Sequence, residues 1–169
     1  MKITWLGHSG FRIEIERAVL LIDPWLDGNP MFPEARRDDA LAGATHVLLT
    51  HGHGDHSGSA LRIAKDKDIP LVGTYDLVSW WSEQEPVKGI GFNKGGTVDL
   101  NGAKVTLVNP SHSSSLAGVE GPVYAGQEAG FMIAGDGHTI YVSGDTDIMA
   151  DMGWMGEYHA PDIGILSAG

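Results

Sequence analysis

The segment His51-Gly52-His53-Gly54-Asp55-His56 gathers three imidazoles and a carboxylate within six residues. Together these groups suit Zn, Mn, Fe or Ni, and residue type alone does not choose among them. In an extended loop, residues i, i+2 and i+4 share a side, so His51, His53 and Asp55 are expected to converge. Gly52 and Gly54 permit tight turning and close backbone approach. His56 breaks the alternation and is expected to face a neighbouring position as a helix begins. Two adjacent ion sites account for this better than one, with His51 and His53 at the first, Asp55 and His56 at the second. The alternative is a His-rich surface loop, and two later segments weigh against it. His112 follows a strand, and Asp145, after Gly144, follows another. Alone, His112 is an ordinary loop residue and Asp145 a helix N-terminal one. With the cluster, they supply a third His for the first ion and a carboxylate able to bridge two.

These residues need a frame that brings distant loops together. Phe11, Ile13 and Ile15 alternate with Arg12, Glu14 and Glu16, the pattern of a half-buried strand. With residues 2–6 before it and 18–22 after it, the chain opens as an antiparallel meander. Residues 23–39 hold three prolines and read as a loop. Residues 46–49 form a short apolar strand whose exit loop is the His cluster. Helices are expected over 57–67 and 75–83, the latter burying Leu77, Val78 and Trp81, with a strand at 71–73 between them. Two hairpins follow, 97–100 with 104–108 and 130–134 with 139–142. A helix over 147–157 would carry Ile148, Met149, Met152 and Met155 as a core stripe, and residues 162–166 form a final strand. Strands at both ends of each half, with helices between, indicate α/β layers.

Composition narrows the function further. The 169 residues suit one domain, 1–169. With no cysteine there is no disulfide framework, Cys-rich zinc module or thiol nucleophile. A formal charge of −11 argues against a nonspecific grip on nucleic acid. The longest uncharged run, 15 residues from Val105 to Val119, falls short of a membrane span of about 20. Arg12, Glu14 and Glu16 follow the N-terminus too closely for a signal peptide. The expectation is a cytoplasmic globular domain.

At this point the sequence resembles the metallo-β-lactamase superfamily, whose hallmark is His-x-His-x-Asp-His followed by separate His, Asp and His ligands. More narrowly it is similar to the UlaG-like branch, the ascorbate-6-phosphate lactonase relatives. The segments that carry the likeness are Trp5-Leu6-Gly7-His8-Ser9, Leu21-Ile22-Asp23-Pro24-Trp25, Asn29-Pro30, His51 to His56, His112-Ser113-Ser114-Ser115 and Gly144-Asp145-Thr146. The resemblance implies an αββα sandwich with two divalent ions, zinc foremost, at one edge of its sheets. It assigns His51, His53 and His112 to the first ion, Asp55 and His56 to the second, and Asp145 as the bridge. Its last ligand is a His after the next strand. Here that strand is 162–166 and the sequence stops three residues later at Gly169. The expected sandwich therefore lacks its C-terminal strand and helix, and its second ion loses a ligand.

Other candidates keep two readings each. His8 lies near the site or is structural. Asp23 orients a ligand imidazole or makes a turn. Asn29 lines the pocket or makes a turn. His46 and His138 read as structural or solvated, and His159 as a weak substitute for the absent ligand.

The expected reaction is metal-dependent hydrolysis of a small-molecule lactone, ester or phosphorylated sugar derivative. Bound zinc lowers the pKa of water to about 7, providing a hydroxide nucleophile that Asp55 also orients. His53, where a redox diiron relative would carry Glu, disfavours oxidative chemistry. Two alternatives stand beside this one. The first is a metal-binding fragment, silent until a C-terminal piece or chain completes it. The second is a phosphodiesterase on nucleotides or RNA. A homo-oligomer is compatible with all three.

Overall fold

The computed structural model describes residues 1–167. Strands β1 (Lys2–Trp5), β2 (Phe11–Ile15) and β3 (Ala18–Ile22) form the antiparallel meander, with Ile13 facing Ile3 on one side and Leu20 on the other. Helix α1 (Arg37–Leu41), preceded by a 3₁₀ turn at Glu34–Arg36, leads to β4 (His46–Leu48). Helices α2 (Gly54–Ser57) and α3 (Ala60–Lys67) lead to β5 (Leu71–Thr74), and α4 (Tyr75–Gln84) to β6 (Gly89–Phe92). The six strands form one sheet in chain order, antiparallel up to β3 and parallel from there.

The second half builds a second sheet. It contains β7 (Thr97–Leu100) and β8 (Ala103–Val108), separated by a small hairpin, β9 (Leu116–Gly118) with β10 (Gly121–Val123), from β11 (Gly130–Gly135) and β12 (His138–Val142). After α5 (Asp151–His159) comes β13 (Ile163–Ile165), giving the order β13-β12-β11-β8-β7.

Burial explains the layering. Ile13, Ile15, Leu20, Ile22, Leu48 and Val72 of the first sheet meet Leu107, Phe131, Ile133 and Ile140 of the second in a shared core. Leu21, Val47, Leu49 and Leu71 point the other way, onto Ile63, Ala64, Leu77 and Trp81 of α3 and α4. Val108, Met132 and Tyr141 cover the outer face of the second sheet with Met155 of α5. The central strands of the first sheet are apolar on both faces because both faces are covered. The architecture is an αββα sandwich.

Several sequence expectations change. The helix expected over 57–67 is two pieces, broken at Gly58-Ser59, because the Ser59 hydroxyl accepts the amides of Leu26 and Asp27 and anchors the proline-rich loop. That loop is not irregular throughout, since it ends in the 3₁₀ turn and α1. Arg12, expected on an exposed face, is buried and donates to the carbonyls of Ala40 and Ala42. The helix expected from 147 begins only at Asp151, because Ser111 binds the Asp147 amide and the Thr146 hydroxyl from across the loop. Ile148 is consequently exposed and outside the stripe, where Met155 alone is fully buried. Strand β6, whose Ile90 and Phe92 alternate only with glycines, and the short β9–β10 hairpin are further elements beyond the sequence expectation. Among the described residues no helix is long and apolar enough to cross a membrane.

Candidate metal centre

Strand direction brings the chemistry to one edge. β1, β3 and β4 run the same way in the first sheet, and β8, β12 and β13 run alike in the second. Their C-terminal ends release the loops carrying His8, Asp23, the His51–His56 segment, His112, Asp145 and Ser167. Two close approaches seat these loops on one another. A Cβ on Gly52 would come 2.8 Å from the Ser115 carbonyl oxygen, and one on Gly144, at φ +60°, 2.7 Å from Thr50 Cβ. Both positions therefore need glycine.

Three donor groups result, one of them the buried set of Asp23, His51 and His56. His51, His53 and His112 each bring a ring nitrogen within 4.8 Å of the others, and so do the ligand atoms of His8, Asp55 and His56. His51 Nε2 lies 3.0 Å from His53 Nδ1, and the His112 ring stands edge-on to both. Asp145 sits between the groups, with Oδ2 3.3 Å from His56 Nε2 and 3.7 Å from His112 Nε2. The period-2 argument fails at Asp55: α2 has already begun there, so Asp55 turns away from His51 and His53 toward His8.

Asp23 holds the frame. Its Oδ1 accepts the Thr50 amide at 2.8 Å, and its Oδ2 accepts the Thr50 hydroxyl at 2.6 Å and His56 Nδ1 at 2.8 Å. With its hydrogen given to Asp23, the Thr50 hydroxyl accepts from His51 Nδ1 at 2.9 Å. Both imidazoles are thereby fixed with Nδ1 protonated, so that Nε2 faces the site. Thr50 was not anticipated, although its place between strand and first His was the available signal. Ser114, buried, accepts the Gly52 amide at 3.2 Å, and the Ser167 hydroxyl donates to Asp145 at 2.9 Å.

The electrostatics favour a cation. Burial, reinforced by the neighbouring His56, pushes His51 down to about 4. Burial alone would lower His56 too, but the Asp23 hydrogen bond and the carboxylates of Asp23, Asp145 and Asp55 overcome it and raise it to about 9. Burial likewise works to raise Asp145, yet His56, the Ser167 hydroxyl, His51 and His112 hold it below the usual carboxylate value. The test of fit is His56 Nε2, a fully buried nitrogen with no hydrogen-bond partner among the described residues. A nitrogen so placed beside carboxylates and imidazoles would give up its proton to a divalent ion, and fits one with N and O donors.

The other candidates fall elsewhere. Asn29 is occupied by its own turn, donating to the Trp25 carbonyl and accepting the Met31 amide. His46 is buried against Thr45, His138 lies 3.7 Å from Asp162, and His159 packs on Tyr158. A cleft of about 580 Å³ opens over the site, walled by Trp5, Phe11, Met31, Val142 and Leu166 around His112 and Asp145.

Residues 19–169 match the family described as Beta-lactamase superfamily domain. The chain belongs to the beta-lactamase superfamily. Within the superfamily it is 73% identical over 169 residues to a UPF0173 metal-dependent hydrolase of Paracoccus denitrificans, covering 100% of this chain and 74% of that one. It is 58% identical, over the same shares, to a UPF0173 metal-dependent hydrolase of Ruegeria pomeroyi. A solved metallo hydrolase from the hyperthermophilic archaeon Ignicoccus hospitalis superposes with a TM-score of 0.83 at 30% identity, over 96% of this chain and 68% of that one. The αββα sandwich is thus that of this superfamily.

Proposed function

We propose that the chain is a metal-dependent hydrolase of small neutral lactones or esters, in the UlaG-like branch of the superfamily. One observation carries this reading. The His51, His53 and His112 trio faces Asp55 and His56 across Asp145, and His112 and Asp145 line a cleft that Trp5, Phe11, Met31 and Leu166 also wall. Divalent ions bound there, zinc first among the candidates, supply Lewis acidity and a water acidic enough to attack near neutral pH. His51, His53 and His112 would hold the first ion and Asp55 and His56 the second, with Asp145 placed between the two groups. Asp23 and Thr50 keep the His51 and His56 rings oriented. Asp55, half-exposed beside His8, would also orient that water. The apolar wall excludes water from the rest of the substrate and positions its acyl group. Among the described lining residues there is no Lys or Arg, which favours a neutral substrate over a phosphorylated one.

The test is turnover by the zinc-loaded protein of a panel of γ- and δ-lactones, aryl esters, phosphosugar lactones and bis-p-nitrophenyl phosphate. Chelator-sensitive turnover of neutral lactones or esters supports the reading. Turnover of the phosphodiester alone would replace it with a nuclease-type activity.

A second reading rests on a separate observation. Among the described residues β13 is an edge strand whose Ile163 and Ile165 are only half-buried, the adjoining Leu166 is exposed, and so are Trp154 and Tyr158 of α5. This surface suits a further strand and helix, supplied by a C-terminal continuation or a second chain, since the relatives are longer. Activity that appears only when such a piece from a relative is co-expressed would favour this reading over a self-sufficient enzyme.

A further inference from the structure

The first two strands divide their side chains between two faces. Ile3, Phe11, Ile13 and Ile15 turn to the shared core, while Lys2 and Thr4 of β1 pair with Glu14 and Arg12 of β2 on the outer face. Farther along the sheet that outer face is covered by α3 and α4. Here its cover is the segment 31–42, tied down where Arg12 donates to the carbonyls of Ala40 and Ala42. Between segment and strands lies a second cavity of about 490 Å³, with buried Leu6, Phe32 and Ala40 in its lining.

This cavity and the cleft over the candidate metal centre meet at two residues, Trp5 and Met31, which line both. Each is anchored. The Trp5 indole donates to the His8 carbonyl at 2.7 Å, and Asn29 Oδ1 accepts the Met31 amide at 2.9 Å. Gly7, at φ +89°, lets residue 31 seat on the β1–β2 turn, since a Cβ there would come 3.0 Å from the Met31 carbonyl carbon. Yet both side chains are 54% exposed. One bare apolar residue is ordinary, but two held at the junction of two cavities form a surface suited to an apolar ligand.

The charges around the second cavity are matched among themselves. Arg12 and Lys2 lie 3.3 and 3.6 Å from Glu14, and Arg36 lies 3.2 Å from Asp39. Each cation already faces a carboxylate, so the cavity offers an incoming group apolar contact more than an ionic partner.

We propose that the second cavity is a tail subsite, and that the substrate is a lactone or ester bearing an unbranched alkyl chain. Its carbonyl lies in the cleft beside His112 and Asp145, and its chain crosses Trp5 and Met31 onto Leu6 and Phe32. The proposal deepens the hydrolase reading given under Proposed function and rests on it.

Two measurements test it, one of them independent of turnover. The first follows hydrolysis of p-nitrophenyl acetate, butanoate, hexanoate and octanoate by the zinc-loaded protein. A buried methylene is worth roughly three- to fourfold, so kcat/KM for octanoate should exceed that for butanoate at least tenfold, mainly through KM. Thr4→Trp and Ala42→Trp fill the cavity from opposite walls, and each should collapse that ratio toward one. Thermal unfolding verifies that both variants fold. The second measurement titrates the metal-free protein with 1-octanol and with 1-butanol, following its ¹H–¹⁵N spectrum. Octanol should move the Trp5 indole signal, identified through Trp5→Phe, and the amides of Phe32 and Ala42 at a concentration at least tenfold below butanol.

A flat chain-length profile, or a gain that survives both filling variants, would overturn the tail subsite while leaving the hydrolase reading intact. Absence of turnover on every ester removes the hydrolase reading, and the substrate assignment falls with it. Octanol shifts confined to residues outside this junction would overturn the subsite whatever the turnover.

Discussion

Both oxygens of Asp23 are occupied by groups that frame the candidate centre: the amide and hydroxyl of Thr50 and the Nδ1 of His56. Its hydrogen bonds all go to this frame, so its effect passes through the rings it orients. Asp23→Asn is therefore expected to lower metal affinity by roughly 10- to 100-fold. The folded structure should persist, since the amide can still accept from Thr50. Equilibrium dialysis against zinc, paired with circular dichroism, reads both quantities. A more direct contrast is available at the donors. His53→Ala and Asp145→Ala should each abolish activity and lower bound metal, whereas His138→Ala should do neither. Equal losses at all three positions would contradict the assigned roles.

The pKa values of the paired imidazoles make a prediction of opposite signs. His51 is held down at about 4, so its folded state favours the neutral ring. Its contribution to stability is present above the ordinary His value of about 6.5 and is lost as pH falls toward 4. His56 is raised to about 9, so its folded state favours the charged ring. Its contribution is present below about 6.5 and is lost as pH rises through 9. The metal-free protein should be most resistant to denaturant near pH 6.5 and weaken on both sides. Zinc replaces the His56 proton, so the loaded protein should lose the alkaline limb. Urea midpoints across pH, with and without zinc, decide the matter, and an alkaline limb that survives zinc saturation would refute it.

At the scale of elements, the question is which placements local sequence could reveal. The His51–His56 segment is legible because its donors are neighbours in the chain, and alternation within β2 and the apolar runs of β3 and β4 are legible for the same local reason. Asp23 is ambiguous in sequence because its partner Thr50 is 27 residues away, brought beside it only by the parallel pairing of β3 with β4. The contact of His8 with Asp55 spans 47 residues and needs the left-handed turn as well. Where tertiary hydrogen bonds override local pattern, as Ser111 does at residues 146–147, the expected helix start is displaced. Gly144 is where one loop of the second sheet meets Thr50 of the first. Gly144→Ala places a Cβ 2.7 Å from Thr50 Cβ on a backbone at φ +60°, so the loops must separate. Asp145 moves with them, and the expected result is a metal affinity reduced by at least roughly tenfold with an intact far-ultraviolet spectrum. Metal titration by calorimetry measures this. Unchanged affinity would mean that the two loops are not coupled.

Across the whole molecule, the candidate ligands divide between the halves of the sandwich. His51, His53, Asp55 and His56 leave the first sheet, while His112 and Asp145 leave the second. The shared core already joins the sheets along their length, so an ion at the edge adds a staple where loops alone meet. Binding to the folded state and not to the unfolded chain raises stability by about 2.7 kcal/mol at an ion concentration one hundred times Kd. For a chain of this size each kcal/mol moves the melting temperature by about 2–4 °C, so the rise is expected to be roughly 5–11 °C. Differential scanning fluorimetry with chelator and with graded zinc measures it. The division of ligands makes the test specific. Asp145→Ala and His53→Ala, one from each sheet, should each lose most of that rise, although neither substitution disturbs the core. A full zinc-induced rise in both variants would place the stabilising ion elsewhere on this acidic molecule and separate thermal protection from the sheet edge.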